Sequence, residues 1–306
     1  MKENRKHILV TGTHRSGTTW VGRTLSQPPN VELVYEPFNL ETTRYNFEYK
    51  FDYWFEHVPT SKKRREIERV FDQYIPNNFL QYPAKICRES GYSLKTPLIF
   101  AKYLLLSSNR PRFLLKDPIA LLSAGWLYER YDLKVICMIR NPLAFTGSLK
   151  KQGWDFDFRN FLQQEELLNT RLSPYKEEMQ RVYEKGDFID RVSLLWNVLN
   201  FVILDYQKRY PEWFFMKHGK LARKPVKNFR RMFDYLDLEF TDEIEIYIRE
   251  FTSGKNPMEA KSNKYQPRDA EQTVEAWRNR LTEEEIERVR EATSKIYHEL
   301  YPKGSL

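Results

Sequence analysis

Two cysteines in 306 residues, Cys87 and Cys137, are too few for a disulfide framework, and both lie in or beside apolar runs, so buried free thiols are expected. No run of about 18 apolar residues occurs, which leaves no segment suited to crossing a membrane as a helix. The opening residues, MKENRKHILV, contain no signal-like apolar stretch and lead straight into a strand pattern; the expectation is a cytoplasmic protein without a Golgi-type anchor. Internal repeats, low-complexity tracts and linker-like segments are also missing, so one domain over 1–306 is expected. Acidic residues fall short of basic ones, 42 against 50, leaving a formal charge of +8. That balance favours an anionic partner, or simply a basic surface. Apolar residues are plentiful, 41% of the chain with aromatics at 15%, which is enough for a sizeable core and argues against disorder.

The pattern along the chain alternates strand and helix. HILVTG reads as a buried strand ending in a tight turn, SGTTWVGRTLSQ as a helix, and VELVYEP as a second strand stopped by Pro37. RFLLKDP and LKVICMIRNP are further apolar strands, each followed by a helical pattern, and EWFFMKH is another. Strands alternating with helices predict an α/β protein: a P-loop-like three-layer fold, its central parallel sheet flanked by helices, with a mostly helical C-terminal half. Thr282 and Glu285 have the spacing of a capping box at the start of the last helix. The aromatic stretch over 41–58 reads either as a segment packed on the body or as a flap over substrate. The basic run in TSKKRREIERVFDQY reads as a solvated helix face before it reads as a nucleic-acid contact. Three strands finish on a polar side chain: Glu36, Lys116 and Arg140. In open parallel sheets ligands bind beyond those carboxyl edges.

The loop after the first strand lacks something too. Gly12 and Gly17 have the G-x-x-x-x-G spacing of a phosphate loop, but the next two positions are Thr18 and Thr19, where an ATP or GTP site carries Lys and Ser/Thr. The lysine that serves a γ-phosphate is absent. Arg15 supplies a positive charge from within the loop instead, as a planar fork. Backbone N–H groups of such a turn and the following helix N-terminus still form an anion site. A site of this composition suits one phosphate and a further anionic group better than a metal-bound triphosphate.

At this point THRSGTTW resembles the 5′-phosphosulfate loop of sulfotransferases that use 3′-phosphoadenosine 5′-phosphosulfate (PAPS). MIRNPLAFTGSLKK resembles the second motif of that family, an Arg at a strand end and a Ser eight positions on, here Arg140 and Ser148. AWRNRLTEEE, with Trp277, is similar to the usual late segment. The resemblance implies that Arg15, Ser16, Gly17, Thr18 and Thr19 cradle the 5′-phosphosulfate, that Arg140 and Ser148 bind the 3′-phosphate, and that Trp20 packs near the adenine. From the residues alone, Arg140 also reads as a strand-end salt bridge and Trp20 as a core tryptophan. The family chemistry is in-line sulfuryl transfer, with Arg15 and the loop N–H groups stabilising charge on the leaving nucleotide. A moving sulfuryl group carries less charge than a γ-phosphate, so no metal is expected.

The acceptor needs a base. A histidine following the third strand serves in many phenol and steroid sulfotransferases; here LLKDP has Lys116 and no histidine. The pattern RSGTT…VYEP is similar to carbohydrate sulfotransferases, which implies Glu36 as the base and Lys116 as a contact to donor sulfate and acceptor. Asp117 is the second candidate base; its simpler role is to cap the helix that follows. MKHGKLARKP departs from the family by carrying Gly219 and Lys220 at the place of an acidic pair. Lys261, Lys264 and Arg268 are all candidates for a late contact to the donor.

The expected activity is transfer of the sulfuryl group of PAPS, a co-substrate, to a hydroxyl of a glycan, glycolipid or other polar metabolite. A small non-carbohydrate alcohol or phenol is an alternative acceptor. A P-loop kinase or NTPase, and a non-catalytic nucleotide binder, are the competing classes. No nucleic-acid partner is expected, and the sequence gives no reading of oligomeric state.

Overall fold

The apolar runs become strands because both of their faces find cover. The protein is described by a computed structural model over residues 6–41, 49–75, 112–258 and 266–302. Five strands, β1 (Ile8–Gly12), β2 (Val31–Tyr35), β3 (Arg112–Lys116), β4 (Lys134–Ile139) and β5 (Phe214–Lys217), form one parallel sheet in the order β2-β3-β1-β4-β5. Alternate side chains of each strand point to opposite faces. Leu9, Leu115, Val135 and Cys137 join one large core; Ile8, Val10, Leu114, Ile136 and Met138 join a second. Both sets are almost wholly buried, which is why the sequence of a doubly covered parallel strand runs continuously apolar. Cys137 is a buried free thiol, its pKa raised by burial. Cys87 lies outside the described residues.

Helices α1 (Thr18–Leu25) and α2 (Arg64–Tyr74) are followed by α3 (Ala124–Tyr131), α4 (Pro142–Gln152) and α5 (Phe188–Arg209); α6 (Pro225–Tyr235), α7 (Asp242–Thr252) and α8 (Glu283–Leu300) complete the set named here. The second core lies under α1, α6 and α7; the first lies under α2, α3 and α5. This three-layer arrangement is the α/β architecture expected. Thr282 and Glu285 form the expected reciprocal capping box at α8. One difference from the sequence pattern is local. The helical pattern after RFLLKDP, IALLSAGWLYERY, does not start as an α-helix: Ile119–Ser123 is a 3₁₀ turn, and the α-helix begins at Ala124. The tighter turn brings the amides of Ile119 and Ala120 to Asp117 Oδ1, while Oδ2 accepts from the Phe38 amide after β2.

Of the aromatic stretch, Tyr49, Phe51, Phe55 and Val58 are buried in the first core, with Phe38 and Phe51 stacked at 4.2 Å, so this part packs on the body. Residues 42–48 lie outside the described residues. Lys62, Lys63, Arg64 and Arg65 are exposed, in keeping with a solvated face. Among the described residues, no helix is long and apolar enough to cross a membrane.

The order of the strands matters for function. The chain passes from β1 to β2 and β3 on one side of β1, then crosses to β4 and β5 on the other. The crevice at such a reversal lies beyond the carboxyl end of β1, which is where the Gly12–Gly17 loop begins.

Candidate active site

The loop is shaped by three backbone positions. Gly12 has φ 132°, and a Cβ there would run into the Met138 main chain of β4, so the strands approach closely only with glycine. Arg15 and Gly17 are both left-handed, at φ 62° and 88°. Gly17 is the N-cap of α1 and offers no side chain to the first-turn N–H groups, and no acidic residue occupies that turn. These donors therefore face an anion site. The imidazole of His218 packs against Gly17, within 2.9 Å of where a Cβ would sit. Ser16 is turned back, its hydroxyl donating to the Thr13 carbonyl.

Arg15, Arg140 and Ser148 converge. The Nε–H of Arg15 donates to Ser148 Oγ at 3.1 Å, and Arg140 donates to the carbonyl of Arg15. Arg140 is held from behind: its own carbonyl accepts the Trp196 indole N–H, 2.9 Å away, from the buried middle of α5. Asn141 caps α4, accepting from the amides of Leu143 and Ala144, and Pro142 starts the helix that carries Ser148. The strand-end salt bridge considered for Arg140 does not form: among the described residues no carboxylate pairs with it. Its Nε is buried without a hydrogen-bond partner. Burial, then repulsion from Arg15, Arg280 and Arg268, carries its pKa down to about 9.

The same field acts on Arg15 and Lys151. Arg15 is lowered by burial and then by Arg268 and Arg280; Lys151 is lowered by burial and then by Arg280, Arg268 and Arg15. Arg280 itself is lowered by burial, and donates toward the Gly147 carbonyl at 3.4 Å. Like charges gathered this way, with burial added, are stabilised by an anion among them. Of the three late-loop candidates, Arg268 belongs to this group, while Lys261 and Lys264 lie outside the described residues. Sequence reasoning missed Arg280. Its signal was the WRNRL segment: Trp277 packs so closely on Gly147 that a Cβ there would lie 3.0 Å from its own, which lays the next residues over α4.

Trp20 is partly buried, edge-on to Phe229 at 5.2 Å and to His218 at 6.4 Å, with its indole N–H unpartnered. It thus packs on the core while bordering the loop. His218, also overlooked in the sequence, is buried, and burial with repulsion from Arg140 and Arg268 holds its pKa down at about 3, so it is neutral. His14, inside the loop, packs edge-on to Phe145 at 4.9 Å and is likewise neutral, with a pKa near about 3 from burial and then Arg15.

On the opposite flank, the carboxyl ends of β2 and β3 bring two candidates together. Glu36 sits in a left-handed turn, φ 49°, its amide donating to the Lys116 carbonyl at 2.9 Å. Its carboxylate pairs with the Lys116 ammonium through Oε1 and accepts from Asn39 Nδ2 at 2.7 Å through Oε2. Lys116 is 1% exposed, and its Nζ lies 3.5 Å from the centroid of the Tyr35 ring. Tyr35 Oη is in turn 3.2 Å from Thr19 Oγ1, which ties this flank to the phosphate loop. Glu36 keeps some exposure and its charge is felt at Arg15.

Asp117 has the capping role. Its Oδ2 accepts from the Phe38 amide at 2.7 Å and its Oδ1 from the amides of Ile119 and Ala120, so both oxygens are occupied by main chain. Burial, then the charge of Glu36, outweighs the pull of those amides and carries its carboxyl up to about 7. A carboxyl that binds its proton more tightly when folded loses stability as pH rises from its unfolded to its folded pKa. Wild type is therefore expected to lose unfolding free energy relative to Asp117→Asn between about pH 4 and about pH 7, as urea titrations at several pH values would show. Parallel pH curves for the two proteins would refute the shift.

These features match a known family. A model of the sulfotransferase domain family matches residues 5–301. The chain belongs to the sulfotransferase family. It is 22% identical over 359 aligned positions to carbohydrate sulfotransferase 1 of Danio rerio, covering 97% of this chain and 77% of that protein. To carbohydrate sulfotransferase 4 of Mus musculus it is also 22% identical, covering 95% of this chain and 81% of the relative. Among solved structures it is similar to the sulfotransferase domain from the curacin biosynthetic pathway, at 15% identity and a TM-score of 0.48, covering 96% of this chain and 97% of that one. It is also similar to mouse sulfotransferase SULT7A1 complexed with PAP, at 13% identity and a TM-score of 0.43, covering 98% and 86%. As a sulfotransferase the chain is a PAPS-dependent enzyme. Among the described residues no three His, Cys, Asp or Glu side chains are grouped as metal ligands.

Proposed function

We propose that this sulfotransferase, acting as one domain over 1–306, moves the sulfuryl group of PAPS to a hydroxyl of a glycan, glycolipid or other polar metabolite, with Glu36 as base. The observation that carries the reading is the placement of two flanks around one loop. Mutually repelling cations gather on the β4 side, and a carboxylate–ammonium pair stands on the β2–β3 side. The two relatives are carbohydrate sulfotransferases by name, which fits a sugar hydroxyl as acceptor.

In this reading Arg15 and the amides of Gly17, Thr18 and Thr19 hold the 5′-phosphosulfate, with Ser16 shaping the loop through its bonds to the Thr13 carbonyl, and Arg140, Ser148, Arg280 and Arg268 hold the 3′-phosphate. Trp20 borders the adenine. Glu36 accepts the acceptor's proton as its oxygen attacks sulfur, and Arg15 with the α1 N-terminus stabilises charge growing on the leaving phosphate. Lys116, freed of its counter-charge as Glu36 is protonated, is left facing the transferring group. Glu36 and not Asp117 is the base because Glu36 is open on one side, whereas the Asp117 oxygens are taken by amides.

Calorimetry tests the donor half. Binding of 3′,5′-adenosine bisphosphate without added metal is expected to be about 100-fold tighter than binding of AMP, as befits a phosphate held by several cations. Equal affinities would remove the 3′-phosphate site. Tight binding of ATP only with Mg²⁺ would favour a kinase.

A further inference from the structure

Three large hydrophobic side chains stand exposed among the described residues: Trp154, Tyr183 and Ile246. Tyr183 and Ile246 lie on the helices Lys176–Lys185 and α7, and no contact of either with the loop residues is seen among the described residues. Trp154 is different. It follows Gly153, a left-handed residue at φ 62° that ends α4, and its amide donates back to the Leu149 carbonyl at 3.1 Å. This Schellman-type closure fixes the direction in which the indole leaves the helix. The guanidinium of Arg15 lies over the ring, 5.1 Å from its centroid, yet 48% of the residue remains exposed. A bulky aromatic held in place by its backbone and by a loop cation, but left half open, has the form of a contact surface.

Its position decides what it touches. Arg15 is the shared neighbour: its Nε–H bonds Ser148, and its guanidinium lies over the Trp154 indole. Trp154 therefore borders the donor loop at Arg15, the loop cation proposed to face the transferring group. We propose that the Trp154 indole is the platform on which the acceptor's ring lies, so that the enzyme selects hydroxyls carried by a pyranose. The proposal rests on the function proposed above and adds to it a residue that determines acceptor class. The C–H face of a pyranose is apolar and slightly positive, and it complements the electron-rich face of an indole while its hydroxyls point outward to Glu36 and solvent. An open-chain polyol has no such face.

The test measures transfer from labelled PAPS by wild type, Trp154→Phe, Trp154→Leu and Trp154→Ala. Acceptors are the methyl pyranosides of galactose, glucose and N-acetylglucosamine, with sorbitol as the open-chain control. Affinity for 3′,5′-adenosine bisphosphate is measured in each variant and also reports that it is folded. The expectation is turnover of at least one pyranoside by wild type. Trp154→Ala and Trp154→Leu should raise the KM for that pyranoside about 10-fold or more, with kcat and bisphosphate affinity little changed. Trp154→Phe should keep most of the affinity, and any sorbitol turnover should be indifferent to all three changes. An unchanged pyranoside KM in Trp154→Ala overturns the proposal, as does an equal rise for sorbitol. A bisphosphate affinity that falls with the KM would assign Trp154 to the donor and also overturn it. So would a wild type that binds the bisphosphate but turns over no pyranoside. A wild type that does not bind the bisphosphate fails in a separate measurement, and there the donor site itself is wrong.

Discussion

Replacing Glu36 by Gln is expected to lower kcat by about 10²–10⁴-fold while the dissociation constant for 3′,5′-adenosine bisphosphate stays within about threefold. Gln keeps the length of the side chain and can still accept from Asn39, so the turn after β2 retains its shape. What it loses is the ability to take a proton. Lys116, which is 1% exposed, also loses its counter-charge. A small drop in thermal stability should therefore accompany the loss of turnover, because a buried ammonium without a partner is costly. The two effects separate by pH. If Glu36 is the base, the acid limb of the pH–rate profile should disappear from the residual activity of Glu36→Gln. Pre-steady-state measurement at saturating PAPS gives the chemical step directly. Near-normal turnover would remove Glu36 from the chemistry and return attention to Asp117 or a histidine.

Much of this arrangement was legible in the sequence, for a physical reason. A parallel sheet covered on both faces writes itself as uninterrupted apolar runs, and the first polar residue after each run marks the carboxyl edge. Glu36, Lys116 and Arg140 were visible on that ground alone. The Gly12–Gly17 spacing was equally legible, because main-chain conformation at Gly12 and Gly17 demands glycine. Less legible was anything set by long-range packing. Arg280 comes from a late turn and reaches the site only because Trp277 seats on Gly147, more than a hundred positions earlier in the chain. His218 follows the edge strand β5, and its burial against Gly17 is a property of the assembled sheet. Asp117 shows the middle case. Its capping role follows from its place before a helix, but the clamp on the Phe38 amide joins two strands and has no sequence signature. The hydrogen bond from Arg15 to Ser148 is of the same kind: each residue was marked by its own motif, and their contact was not.

Arg140→Met is expected to weaken binding of the bisphosphate by about 100-fold, equivalent to about 2.7 kcal/mol, while binding of AMP changes by much less. The contrast follows from where the charge stands. Arg140 lies among Arg15, Arg268 and Arg280 without a carboxylate partner among the described residues, and desolvation first, then this repulsion, lowers its pKa to about 9. Methionine keeps the unbranched stem. It loses one hydrogen bond, to the Arg15 carbonyl, a loss of about 1 kcal/mol, and removes a cation that its neighbours repel. These terms oppose each other, so the ligand-free variant should melt within a few degrees of wild type, whereas most surface-to-core ion pairs would lose stability when one partner is cut. The stabilisation conferred by saturating bisphosphate should shrink instead, because ligand linkage scales with affinity. A residue that served the fold would show the reverse pattern, a lower melting temperature with ligand-induced stabilisation intact. Paired thermal melts with and without 3′,5′-adenosine bisphosphate distinguish the two, and an unchanged bisphosphate affinity in a folded Arg140→Met protein would place the 3′-phosphate elsewhere.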